Sequence, residues 1–113
     1  MADRTRYGPI ATEVLYEDDQ IRIWDQRLAH GEKTAPHRHE NDYVLVDVEG
    51  ERIGVAPLPG HDDRAFDRPI ELPVRRGQTY FVEKGSVEIA KNLGERPYRA
   101  VLIEFKESAR EGD

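Results

Sequence analysis

Apolar residues in this chain come in short runs, and where they alternate with polar residues they do so with a period of two. Residues 20–28 set Ile21, Ile23 and Asp25 against Arg22, Trp24 and Gln26, and residues 43–49 place Val44, Val46 and Val48 on one face. Successive side chains alternate across an extended backbone, so both stretches are expected to be β-strands. Val14, Leu15 and Tyr16 form a shorter run before the turn residues Glu17, Asp18 and Asp19, which predicts a strand at a sheet edge. Residues 34–39 read as extended, and Glu40, Asn41 and Asp42 as a turn. Further strands are expected over 52–56, 79–82, 87–91 and 98–105. Residues 66–74 belong at an edge, because Pro69 and Pro73 cannot donate to a ladder. No helical stripe lasts three turns, and 106–110 is too short to form a stable helix alone. About eight to ten short strands with frequent turns predict an all-β sandwich or barrel.

Length and composition narrow this without changing it. A chain of 113 residues closes one core, so residues 1–113 are expected to form a single domain. Within it, 1–12 read as an N-terminal arm and 110–113 as a flexible tail. Apolar content of 37% with 35% charged residues describes a globular protein. The net charge of -6 leaves no broad positive surface for phosphate backbones, so nucleic acid is not an expected partner. The absence of cysteine excludes disulfides, thiol nucleophiles and thiolate metal sites, so any metal must use imidazole and carboxylate. Residues 1–9 lack an apolar segment of signal-peptide length, and no later run approaches a membrane span. The expectation is a cytoplasmic protein that does not engage membranes.

Candidate chemistry concentrates in residues 31–50. His37 and His39 are separated by one residue in an extended segment, which puts both imidazoles on one face at a metal-ligand spacing. Gly31, five residues, His37, one, His39, three, Tyr43, six, Gly50 resembles the first signature of the cupin superfamily, which has Glu where this chain has Tyr43. Gly77, five residues, Glu83, one, Gly85, two, Glu88, three, Asn92 resembles the second signature, which has Pro at Glu83 and His at Glu88. The chain looks similar to small single-domain bacterial cupins, some associated with β-alanine degradation. Their run before the histidines is similar to Glu13-Val14-Leu15-Tyr16-Glu17 and Ile21-Arg22-Ile23-Trp24.

The resemblance implies a double-stranded β-helix, a jelly-roll barrel, often dimeric, with one metal in its mouth. The superfamily site uses His, His, Glu and His; this chain keeps His37 and His39 and departs at the other two positions. Glu88 preserves a ligand type, because two imidazoles and one carboxylate form the facial set used for non-haem iron(II). A neutral phenol binds metals weakly, so Tyr43 is expected to line the pocket and donate a hydrogen bond to substrate. The expected cofactor is one divalent ion, Fe, Mn, Zn or Ni. The alternative is an empty acid-histidine cluster in which Glu88 simply partners His37 or His39. Glu40 and Asp42 compete for the missing ligand position from a turn that the alternation argument does not reach.

Other residues have blander readings. Arg22, Arg27 and Arg99 could orient an anionic substrate but read first as strand charges. Trp24, Tyr80 and Phe81 are expected in the apolar wall, and His30 at the surface. His61, Asp62 and Asp63 carry ligand chemistry but follow the stop Pro57-Leu58-Pro59-Gly60, so they read as a solvated hairpin tip. The leading functional reading is a metal-binding cupin acting on a small organic acid or polar metabolite, by dioxygenase-like or isomerase-like chemistry. A non-enzymatic small-molecule binder is the alternative, and a dimerisation barrel using the Val44, Val46 and Val48 face is a third. A homodimer is expected, since the strand at Val14, Leu15 and Tyr16 offers unpaired backbone.

Overall fold

The computed structural model of the protein describes residues 8–58 and 69–106. The described residues contain nine strands in chain order. They are β1 (Glu13–Glu17), β2 (Ile21–Leu28), β3 (His37–Arg38), β4 (Tyr43–Glu49), β5 (Arg52–Pro57), β6 (Ile70–Pro73), β7 (Thr79–Val82), β8 (Val87–Asn92) and β9 (Tyr98–Phe105). They build a five-stranded sheet, β1-β2-β9-β4-β7, and a four-stranded sheet, β3-β8-β5-β6. Every pairing is antiparallel. This is the all-β barrel that the period-two patterning predicts, in the jelly-roll form that the cupin resemblance implies.

β9 organises the larger sheet. It pairs with β2 from Ile21↔Phe105 to Leu28↔Tyr98, and on its other side with β4 from Tyr43↔Glu104. Its alternate residues Tyr98, Ala100, Leu102 and Glu104 are buried, and three of them join Leu28, Tyr43, Ile53 and Val74 in the apolar core. The same alternation decides the faces of β4. Tyr43 and Asp47 are buried, and Leu45 packs on the core. Val44, Val46 and Val48 therefore lie on the outer face, opposite Ile103 and Val101 of β9. Their β-branching marks a strand, whereas the phase of the alternation through Tyr43 marks the buried side.

The predicted edges hold. β1 is exposed along its whole length at one edge of the larger sheet, with a register irregularity between Val14 and Tyr16. β6 carries Pro73 at the edge of the smaller sheet. Of the N-terminal arm, residues 8–12 lie against the barrel: Gly8 N donates to Pro36 O at 2.9 Å, Thr12 N to Asp25 O at 3.0 Å, and Ala11 is buried. The expected hairpin tip at His61, Asp62 and Asp63 and the tail at 110–113 lie outside the described residues. Among the described residues no helix is long and apolar enough to cross a membrane.

The glycines of the two motifs, Gly31, Gly50, Gly77 and Gly85, all adopt positive φ. Gly50 shows why a side chain is excluded. At φ 138° it turns the β4–β5 hairpin, and an added Cβ would lie 3.1 Å from Tyr98 Cδ1 and 3.3 Å from Tyr98 Cα. The last motif residue, Asn92, has no exposed surface. Its Nδ2 donates to Leu28 O at 3.1 Å and Arg96 O at 2.9 Å, and its Oδ1 accepts from Gly94 N at 2.9 Å. It ties the end of β2 to the β8–β9 turn.

Candidate metal centre

His37 and Glu88 meet because β3 and β8 pair with His37 directly opposite Glu88. The ladder continues past the end of β3, with His39 N donating to Ser86 O at 3.0 Å and Gly85 N to His39 O at 2.8 Å. Residues 37 and 39 therefore share the inward face with Glu88. All three are buried, and one ligand atom from each lies within 4.8 Å of the other two. The structure thus brings together the three residues that the spacing singles out, and together they could hold a metal ion. Glu40 is exposed and Asp42 accepts from Lys84 N at 2.8 Å, so neither joins this cluster.

The hydrogen bonds around each ring define what the cluster offers. His37 Nδ1 lies 2.9 Å from Ala35 O; a carbonyl only accepts, so Nδ1 carries a proton. In a neutral ring Nε2 would then present a lone pair, 3.7 Å from Glu88 Oε2. Two such acceptors face one another comfortably only with a positive centre between them, a metal ion or a proton. A backbone carbonyl on the non-ligating nitrogen is also the arrangement that orients metal-bound histidines. His39 Nε2 donates to Glu88 Oε2 at 3.1 Å, and its buried Nδ1 has no partner. The two rings meet edge-on, centroids 4.9 Å apart. A buried set of two imidazoles and one carboxylate, without sulfur, fits a borderline divalent ion.

Burial works to raise the pKa of Glu88, but its contacts with His37 and His39 outweigh that and lower it from 4.5 to about 2. A carboxylate whose pKa is depressed on folding stabilises the fold above its unfolded value, and that contribution disappears as pH falls through the folded value. The window here runs from 4.5 down to about 2. In the metal-free protein, Glu88→Gln should therefore flatten the loss of stability between about pH 5 and about pH 3. Urea unfolding at the two pH values checks this; parallel losses in wild type and variant would count against it.

Tyr43 stacks on His39, ring centroids 4.3 Å apart and planes 22° from parallel. Burial, followed by the nearby Glu88 charge, pushes its pKa well above 10, so it stays a neutral phenol. The cluster and Tyr43 line a cavity of about 280 Å³ between the sheets, with Leu45, Val55, Ile70, Leu72, Ala90 and Leu102 contributing apolar wall. Trp24 and Tyr80 face inward as expected. Trp24 packs against the core and its Nε1 donates to Glu104 Oε1 at 2.6 Å, while Tyr80 lines the cavity. Phe81 also borders the cavity, but with 62% of its surface exposed it contributes to the rim rather than to the buried wall.

The arginines serve the scaffold. Arg27 Nε and Arg99 Nε contact buried Asp25 at 2.9 and 2.8 Å, and Arg22 pairs with Glu17 at 3.2 Å and Glu104 at 3.5 Å. His30 is exposed, its Nδ1 2.7 Å from Gly94 O. Sequence reasoning did not single out Thr34, Gln26, Asp47 or Tyr98, all of which line the cavity. Asp47 was within reach of the alternation, because it is four residues from Tyr43 and must share its face.

A two-sheet antiparallel barrel with a His-x-His pair and a carboxylate turned into its interior defines a cupin. Within that superfamily the chain belongs to the auxin binding protein family, whose pattern it matches over residues 5–107. It is 28% identical over 94 residues to the auxin-binding protein T85 of Nicotiana tabacum, a match covering 83% of this chain and 50% of that protein. The chain thus spans about half the length of this curated relative. Among solved structures it is similar to a cupin domain from Bordetella pertussis, with TM-score 0.67 and 19% identity, covering 87% of this chain and 98% of that one. A double-stranded β-helix protein from Klebsiella pneumoniae aligns with TM-score 0.62 and 17% identity, covering 89% and 84%.

Proposed function

We propose that this chain binds one divalent ion through His37, His39 and Glu88 and receives a small organic acid in the adjoining cavity. The observation that carries the reading is the position of the cluster. It forms a polar group in the wall of an otherwise largely apolar cavity of metabolite size. The ion, Fe, Mn, Zn or Ni, would act as a Lewis acid towards the ligand's oxygens. The chain's own residues do the rest. Ala35 O fixes the His37 ring, Tyr43 offers its phenol to the ligand and buttresses His39, and Leu45, Ala90 and Leu102 exclude water from the ligand body. The tobacco relative is named for auxin binding, and an auxin is one example of the acid class proposed here.

A reactive role is the second reading. Two imidazoles and one carboxylate leave coordination positions open, the arrangement of non-haem iron(II) oxygenases, which supports dioxygenase-like or isomerase-like chemistry at the same site. The runs Glu13–Glu17 and Ile21-Arg22-Ile23-Trp24 support a kinship with the β-alanine-degradation-associated cupins. Calorimetry with phenylacetate and its neutral isostere phenylacetamide tests the binding claim. Phenylacetate should bind metal-loaded protein at least about tenfold more tightly than the amide, and should lose that advantage without metal. Equal binding of acid and amide, with or without metal, would contradict it.

The working form is a homodimer. The outer face of the larger sheet carries Ile23, Val44, Val46, Val101 and Ile103 beside exposed Phe81, and β1 at its edge is exposed throughout. A contiguous apolar sheet face of this kind favours burial against a second copy. Light scattering at micromolar concentration should give twice the 13.0 kDa chain mass; a single chain mass would refute the dimer.

A further inference from the structure

The cavity has a second polar end. Gln26 on β2 and Asp47 on β4 both pair with Ala100 of β9 and flank it in one row across the inner face of the larger sheet. Both line the cavity and both are buried, 6% and 3% exposed. Ala100 between them is fully buried and small. Asp47 lies four residues from Tyr43, about 13 Å along β4 at the usual rise of a strand. The row is therefore well displaced from the level at which Tyr43 stacks on His39.

The chemistry of this row is that of an acceptor. Gln26 Oε1 is buried without a hydrogen-bond partner. The Asp47 carboxylate accepts from Arg75 N at 3.3 Å and Gln78 Nε2 at 3.2 Å, and both contacts end on Oδ2. A carboxylate has about four acceptor positions, so it can take more. Tyr80 and Tyr98 stand beside it in the wall. Burial first and the Asp47 charge second raise the pKa of each, so both remain neutral phenols. An acceptor left unpaired in the wall of an apolar cavity costs stability, and a cost of that kind persists where a small side-chain rotation lets it serve a site.

We propose that Gln26 and Asp47 form a donor-recognising subsite that selects acids carrying an N–H or O–H group at the end remote from their carboxylate. The proposal rests on the acid-binding reading above and deepens it. With a cation held by His37, His39 and Glu88 and an anion at Asp47, the cavity is polarised. A ligand carboxylate is drawn to the first end and repelled from the second, and a donor at the far end is drawn to Gln26 and Asp47. The pairing sets both orientation and selectivity, because a site built to receive a donor rejects an analogue lacking it far more strongly than an apolar pocket rejects an extra methyl group.

The test compares 3-(4-hydroxyphenyl)propanoate with its 4-methoxy and unsubstituted analogues on metal-loaded protein by calorimetry. A neutral series, 4-ethylphenol, 4-ethylanisole and ethylbenzene, runs beside it. Wild type should prefer the hydroxylated member by about tenfold or more. Gln26→Met, which keeps length and removes the acceptor, and Asp47→Asn, which sets an amide in place of the carboxylate, should each reduce that preference to about threefold or less. Metal content reports that each variant has folded, and Gln26→Met should also raise the melting temperature by removing an unpaired acceptor. A hydroxyl preference in the neutral series alone, dependent on Gln26 or Asp47, supports the subsite and overturns the acid reading. Acids that bind without a hydroxyl preference overturn the subsite and leave the acid reading standing. A preference that survives both variants, or no hydroxyl preference in either series, overturns the subsite.

Discussion

Glu88→Gln should lower divalent metal affinity by at least about 100-fold while leaving the barrel folded. Glu88 supplies the only negative charge in the cluster, and its counterparts are imidazoles. The glutamine keeps the shape and one carbonyl oxygen but leaves neutral groups alone to face a divalent ion, so the attraction that offsets ion desolvation is largely lost. Glu88→His restores the residue that the cupin signature carries at this position and should retain or strengthen binding of Zn(II) or Ni(II). Titration of the three proteins with each metal, followed by fluorescence or calorimetry, distinguishes the outcomes. Equal affinity in wild type and Glu88→Gln would remove Glu88 from the ligand set, and binding that emerges only in Glu88→His would identify wild type as an empty acid-histidine cluster.

Asn92→Ala should destabilise the protein by about 3 kcal/mol, the scale for leaving several buried backbone groups unpaired. The variant strips a donor from Leu28 O and Arg96 O and an acceptor from Gly94 N, at a residue with no exposed surface. For a domain of this size the melting temperature should fall by about 12 °C. Asn92→Asp should fare little better, because a carboxylate cannot donate to the two carbonyls and would be buried with its charge. Thermal unfolding followed by circular dichroism checks both, and a shift under about 3 °C in Asn92→Ala would show that water replaces these contacts at little cost.

The sequence made the strands legible because alternation is a local property, and strands at Ile21–Leu28 and Tyr43–Glu49 emerge where it places them. The two motifs made the site legible because each fixes its own glycine turns. Gly31, Gly50, Gly77 and Gly85 all need positive φ, and once those turns form, β3 and β8 pair with His37 opposite Glu88. The buried face of β4 was open to misreading, since three valines out-compete Tyr43, Leu45 and Asp47 in apolarity although the latter face inward. Burial follows the phase set by neighbouring strands, and a polar inward residue such as Asp47 carries no local signal that it lines a cavity. Phe81 shows the converse: an aromatic residue at an outward phase is exposed despite its apolarity. Gln26 and Ala100 meet through pairing of residues far apart in sequence, which no local pattern records.

The claim on which the rest depends is that His37, His39 and Glu88 hold a metal. Elemental analysis of protein purified without an affinity tag tests it most directly. About one divalent ion per chain is expected in wild type and a markedly lower content in Glu88→Gln. Wild-type protein that carries no ion above background, and takes up none when titrated with Fe(II), Mn(II), Zn(II) or Ni(II), would contradict it.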